Sequence, residues 1–229
     1  MHIIFGDKMK KNILTFIFTF IIINIIYSAE ITVGTRLGAG INANFNSPSV
    51  SSVLNSSPLV SQNESSHPGF SFSAGILASF MFKGANYGFE FQFNYARYLT
   101  KINDDIYTGR QNLYINSLEA AIPFKMSLLA GKIPSEDVHH PYVLIGPVFS
   151  FPLKVKLAGS DVTGKFNDVN LGMLVALGGR LRLKGNHIVF VEIEFKAFFT
   201  DKLKTCGKLR DFRFQFCIGY EFNLTKGDW

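Results

Sequence analysis

Residues 89–98 read FEFQFNYARY, with aromatic Phe89, Phe91, Phe93 and Tyr95 alternating with Glu90, Gln92, Asn94 and Ala96. A two-residue period is that of a β-strand, whose successive side chains leave opposite faces of the sheet. One face of this strand is therefore oily and the other polar. Two architectures use such strands: a soluble sheet or barrel with the oily face inward, and a membrane barrel with that face outward to lipid. The rest of the chain has to decide between them.

The same alternation recurs in eight segments with little helical periodicity between them. Their apolar faces carry Ile31, Val33, Leu37, Ala39, Ile41 and Phe45; then Phe70, Phe72, Ala74, Ile76, Ala78, Phe80 and Phe82; then the stretch already quoted, within 87–99. The fourth carries Tyr114, Leu118, Ala120, Ile122, Phe124 and Met126. The fifth carries Val143, Ile145, Phe151, Val155 and Leu157, with Pro147 read as a bulge or edge irregularity. Val169 to Leu183, Val189 to Phe199 and Phe212 to Phe222 supply the last three. Eight is an even, closable number of strands.

Connection lengths choose the membrane architecture. KGAN at 83–86 and KGN at 184–186 are short glycine-containing hairpin signals, whereas 46–69, 100–112, 158–168 and 200–210 are longer. An up-and-down meander collects those four long connections at one rim, the asymmetry of outer-membrane barrels. The connection 129–141 is also long but falls at the short-turn rim. The segments exceed the ~5 to 6 residues of ordinary strands and suit the ~9 to 11 tilted residues that cross a bilayer. The expected fold is thus all-β, an eight-stranded antiparallel up-and-down transmembrane β-barrel.

On the polar face stand Arg36, Glu90, Glu119, Lys125, Lys154, Lys156, Arg180, Arg182, Glu192, Glu194, Lys196, Arg213 and Glu221, together with many glycines and serines. Both signs occur in comparable number, and a narrow lumen would pair them, because unpaired ions away from water are costly. With Gly185 to His187 as a three-residue turn, Arg180 falls opposite Glu192. Tyr95 and Tyr98 are expected in an interfacial aromatic girdle.

Ahead of the strands, Lys8, Lys10 and Lys11 precede an apolar run over 13–26, followed by Tyr27, Ser28 and Ala29. This order marks residues 1–28 as a signal peptide, cleaved near residue 28 or 29, and leaves 29–229 as the barrel domain. The run falls short of the roughly 20 residues of a membrane helix. Met9 is an alternative start. Removing the leader takes away three lysines and one aspartate and lowers the formal charge from +6 to +4. That balance, without any basic run interleaved with aromatics, argues against nucleic acid as a partner.

The run YINSLEAAIPFK at 114–125 and PYVLIGP at 141–147 resemble the PorT-like outer-membrane β-barrel proteins, in which a Leu-Glu-Ile-Pro-type strand precedes a Pro-Tyr-x-x-x-Gly-Pro strand. Ala120 and Ala121 interrupt that pattern here. Gly219, Phe222 and Leu224 also resemble a barrel-assembly signal. The resemblance implies location and fold, an OmpA/OmpX-like barrel handled by the barrel-assembly machinery and seated in outer-membrane lipid, and no common reaction.

Residues with chemistry are sparse. His139 and His140, with Glu136 and Asp137 nearby, read better as a solvated turn than as a metal site, since adjacent strand residues face opposite ways. His67 beside Ser65 and Ser66 is the only rim candidate for a lipid-modifying enzyme. GTRLGAG at 34–40 lies within an alternating strand, not before a helix, so it is no nucleotide loop. Cys206 and Cys217 are expected as free thiols. No catalytic, metal or cofactor site is expected. The first long loop carries Val53, Leu54, Leu59 and Val60, which Asp104, Asp105 and Tyr107 of the next could frame as an interaction surface for an extracellular or envelope protein. The function read from the sequence is a non-enzymatic outer-membrane barrel with a structural or surface-interaction role. A soluble periplasmic lipocalin-like carrier and a lipid-modifying enzyme are the alternatives.

Overall fold

The computed structural model describes residues 29–45, 53, 68–82, 86–104, 109–128, 139–183, 185–204 and 209–225. The strands are β1 (Ala29–Phe45), β2 (Gly69–Phe82), β3 (Tyr87–Asp104), β4 (Gly109–Ala121), β5 (Phe124–Ser127), β6 (His139–Leu157), the two-residue β7 (Ser160–Asp161), β8 (Asn170–Arg182), β9 (His187–Phe198) and β10 (Arg210–Asn223). A 3₁₀ turn, η1 (Thr163–Lys165), follows β7. β4 and β5 are two parts of one stave, both paired to β3 and β6. Because β1 pairs with β2 on one side and with β10 on the other, the eight staves close into an antiparallel ring. Closure leaves no unpaired edge, the condition for a sheet in lipid.

The barrel turns its oily face outward. Phe89, Phe91, Phe93 and Tyr95 are 41%, 48%, 49% and 40% exposed, while Glu90 is 0% and Gln92 and Asn94 are 2% exposed. Leu37, Ile76, Ile122, Ile145, Leu177, Ile193 and Phe216 show the same on the other staves. A soluble carrier would have these faces reversed. At 17, 18 and 19 residues, β1, β3 and β6 also outrun the length that crosses a bilayer.

One stave departs from the sequence reading. Between Asn116 and Ser117 the β4–β6 register shifts, so Lys154 pairs with Asn116 and Pro152 with Ser117, leaving Leu153 as the extra residue. The bulge therefore lies at Leu153, and Pro147 continues the ladder opposite Met173. A bulge reverses which face each later residue takes. Lys154 and Lys156, expected in the lumen, stand exposed outside, and Val155 and Leu157, expected outside, are buried inside.

The outer connections are also tighter than their sequence suggests. β3 and β4 continue to Asp104 and Gly109, so strand occupies most of 100–112. Val162 and Phe166 from the β7–β8 region pack inward with Leu203 and Leu209 from the β9–β10 connection, where Phe166 and Leu203 form a bridge. Val53, Tyr98, Ile102, Leu113, Ile115, Val155 and Leu157 complete this apolar lid over the lumen.

Small residues make room where inner side chains are large. A Cβ on Gly178 would lie 2.5 Å from the Tyr142 ring, and one on Gly219 would meet the ring of Phe190. At Ile122 and Pro123 the ladder is interrupted, yet Ile122 N–H donates to Pro147 O at 3.1 Å and Glu90 N–H donates to Pro123 O at 2.9 Å. Gly146 admits this break, since a Cβ there would lie 2.5 Å from Pro123 Cα. Replacing Gly178 by Val should overpack the lumen and cost about 1–3 kcal/mol, whereas Gly179→Val, with open space at its Cβ, should cost much less. Thermal unfolding in detergent, followed by the gel shift between folded and boiled barrel, checks the difference.

Candidate functional site

Alternation places one set of ionisable side chains on the inner faces of the staves: Glu90 on β3, Glu119 on β4, Glu192, Glu194 and Lys196 on β9, and Asp211, Arg213 and Glu221 on β10. Ring closure brings these rows face to face across the lumen. The result is three groups of ion pairs along the barrel, the two larger ones bridged by Tyr142, which bonds Glu192 and covers Lys125.

At the short-turn end Arg182 meets Glu30 at 2.8 Å, and Arg180 pairs with Glu221, which also accepts the Thr32 hydroxyl at 2.6 Å. Lys125 lies 3.7 Å from Glu221 and 2.6 Å from Glu90, and Gln92 Nε2 donates to Glu90 at 2.8 Å. Midway, Arg36 Nη2 sits 3.1 Å from Glu192 and 2.7 Å from Glu194, while the Tyr142 hydroxyl donates to Glu192 at 2.7 Å. Lys196 joins Glu194 at 2.8 Å to Glu119 at 3.0 Å. Arg213 pairs with Glu119 and, through Nε at 2.6 Å, with Asp211. Under the lid, Lys202 Nζ donates to Asp211 at 2.8 Å and to Tyr98 Oη at 2.7 Å.

Seven cationic and seven anionic side chains thus meet inside, so the lumen is close to neutral. A single buried ion would be expensive to keep there, and matched partners with further hydrogen bonds remove most of that cost. Aromatic rings add to the pairing: Lys125 lies 4.4 Å from the centre of the Tyr142 ring, and Arg213 lies 4.2 Å from that of Tyr98. Lys202 belongs to a connection rather than a strand. Burial pushes its amine down to about 8, against the pull of Asp211.

Several expectations need correction. The β8–β9 turn is centred on Gly185, whose φ of 79° few other residues adopt, and Leu183 N–H donates to His187 O at 2.8 Å. The closing pair is therefore Leu183 and His187, one residue earlier than expected. Arg180 lies opposite Phe190 and Glu192 opposite Gly178, and their ionic partners are Glu221 and Arg36. Tyr98 shares the inner face with Glu90 and is buried against Lys202 and Arg213, outside any aromatic girdle. Glu30, Asp211 and Lys202 were not singled out in the sequence. Asp211 is in phase with Arg213 and could have been; Lys202 carries no such signal.

The remaining candidates divide. Glu192, Glu194 and Cys217 approach one another closely enough to hold a metal, but Arg36 Nη2 already donates into the cluster, reaching Cys217 Sγ at 3.0 Å. Cys217 is a free, buried thiol. Gly34 to Gly40 lie inside β1. Val53 is buried in the lid, so it anchors its loop to the barrel instead of facing a partner. Asp104 pairs through its backbone with Gly109. Leu54, Leu59, Val60, Asp105, Tyr107, Ser65, Ser66, His67, Glu136, Asp137 and Cys206 lie outside the described residues, as does the leader.

The ladder predicts which charges are coupled. Arg180→Gln and Glu221→Gln should each destabilise the barrel by about 3–5 kcal/mol, and the double variant by clearly less than their sum. Arg180→Gln with Glu192→Gln should instead be additive to within about 0.5 kcal/mol. Unfolding in detergent of the three single and two double variants measures both cycles; coupling of Arg180 to Glu192 alone would contradict this register.

No family model matches the chain, and no curated protein matches it. Solved structures do. The outer membrane protein OprG from Pseudomonas aeruginosa aligns with a TM-score of 0.56 at 13% identity, over 86% of this chain and 97% of that one. Neisserial surface protein A aligns at a TM-score of 0.49 and 16% identity, over 84% and 97% respectively. The likeness to OprG is one of architecture: the chain has the fold of an eight-stranded outer-membrane β-barrel.

Proposed function

We propose that this chain is an integral outer-membrane protein without a catalytic site, exported by the leader 1–28 and acting through its outer loops in a structural or surface-interaction role. The observation that carries this reading is the exposed apolar wall. Ile76, Leu177 and Phe216 are more than half exposed, and every stave contributes exposed apolar side chains. In water so continuous an apolar surface would drive aggregation, whereas in a bilayer it is the solvated face.

The charged ladder supports a scaffold rather than a pore. Each lumen carboxylate named above already has a cationic partner, and the inner side chains of an eight-stranded barrel fill its interior. Kinship to the PorT-like barrels rests on two segments that the fold places in contact, Pro123 against Gly146. Recognition falls to the loop containing Leu54, Leu59 and Val60, whose Val53 is buried in the lid, together with Asp104, Asp105 and Tyr107 of the next connection.

Cell fractionation and surface proteolysis test the reading. The protein should stay with membranes through a high-salt wash and leave them only in detergent. On intact cells trypsin should reach Arg110, which is exposed on β4 near the loop end, and spare Lys83 and Lys184 at the short turns. Release by salt alone would sink the membrane assignment. Cleavage at the short turns with Arg110 spared would reverse the orientation.

A further inference from the structure

The outer wall carries one cationic sector. Arg97 and Lys101 on β3 and Lys154 and Lys156 on β6 are all exposed, with β4 between them. Across that strand Arg97 is joined by Asn116 to Lys154, and the next rung runs Leu99, Tyr114, Lys156. Two inter-strand spacings, about 10 Å, separate the columns, and same-face neighbours on a strand are about 7 Å apart. The Arg97 guanidinium lies 5.9 Å from the centre of the Tyr114 ring, which holds it along the wall. Followed the other way, the Arg97 rung passes to Phe72, Ala39 and Phe216, all apolar.

The bulge makes this sector. If alternation ran unbroken through Leu153, Lys154 and Lys156 would point into the lumen and the wall here would carry only the β3 cations. The rung nearer the membrane centre is Tyr95, Leu118 and Phe151, so the charges sit directly beyond an apolar surface. Asp161, opposite Lys156, is the acidic group whose charge reaches Lys154 and Lys156. Its carboxylate accepts from Thr163 Oγ1 at 2.6 Å and Thr163 N–H at 3.0 Å, bonds that hold it below the usual carboxylate range. Among the described residues none of the four cations forms a salt bridge, so the sector keeps a net positive charge.

We propose that this sector binds the phosphorylated headgroup of an outer-leaflet glycolipid, whose acyl chains lie along Tyr95, Phe151 and Leu153. The inference rests on the membrane reading above, with the loop end outward. Cations placed one rung beyond an apolar wall meet a lipid where its phosphates are, and clustered basic side chains near such a surface reinforce one another. The requirement for an adjoining apolar surface distinguishes a lipid headgroup from free phosphate.

Native mass spectrometry of the detergent-solubilised full chain with added bisphosphorylated lipid A tests it. Folding of each variant is verified by heat-modifiable migration. Arg97→Gln/Lys154→Gln/Lys156→Gln should bind the glycolipid at least about tenfold more weakly than wild type. The milder Lys101→Gln/Lys156→Gln, which leaves the Arg97–Tyr114 contact intact, should be intermediate and serves if the triple variant does not fold. Lys204→Gln/Arg210→Gln, elsewhere at the same end, should bind as wild type does. Dephosphorylated lipid A should bind weakly to all, and excess inorganic phosphate should not displace the glycolipid. Equal binding by wild type and the sector variants, indifference to the lipid phosphates, or displacement by inorganic phosphate overturns the proposal. Flotation of wild type with vesicles separates the two failures: a barrel that inserts but shows no sector effect defeats the lipid site alone, and one that does not insert defeats the membrane reading.

Discussion

The chain of ion pairs inside the ring is the interaction on which the rest depends. With most of the large apolar side chains turned outward, the hydrophobic burial that organises most domains is reduced, inside this barrel, to the lid and a patch of Leu144, Val148, Leu174, Ala176 and Phe198. Its place is taken by electrostatic matching, in which Glu119 is shared by Lys196 and Arg213, and Glu221 by Arg180 and Lys125. Such a ladder specifies register, because a slipped strand would strand several charges at once. The closed hydrogen-bonded ring and the packed interior enforce each other: closure fixes who faces whom, and the matched charges favour only that closure.

The same constraint explains where glycines and aromatics fall. The small polar side chains packed on the inner face leave no space for a Cβ at Gly38, which would lie within 2.6 Å of Ser73 Oγ and 2.8 Å of Cys217 Sγ. Tyr142 occupies the space opened by Gly178 and at the same time bonds Glu192 and covers Lys125. Interior volume and interior charge are therefore balanced by the same side chains. At the bulge at Leu153 the phase of β6 changes, and above it Val155 and Leu157 turn inward to join the apolar lid.

Much of this was legible in the sequence. The alternation at 89–98 gave the faces of β3 directly, and eight such segments with alternating short and long connections defined the ring. Inner charges on regular strands, such as Glu90, Glu192, Glu194 and Lys196, could be read by phase alone. What phase cannot carry is a change of phase. The irregularity was assigned to Pro147, and nothing local fixed Leu153 as the inserted residue, so Lys154 and Lys156 were placed on the wrong side. A one-residue difference in centring the turn on Gly185 was enough to exchange the partners of Arg180 and Glu192. Lys202, Leu203 and Phe166 enter the interior from connections, where no periodicity exists to be followed.

The inward-folded connections have an evolutionary corollary. Segments that contribute Val162, Phe166, Leu203 and Leu209 to the lid are bound by the packing of the core beneath them, so they cannot drift in sequence without opening the barrel. The connection after β1 is tied into the same lid at Val53. What is packed beneath the rim thus limits how far the sequence of the rim can change.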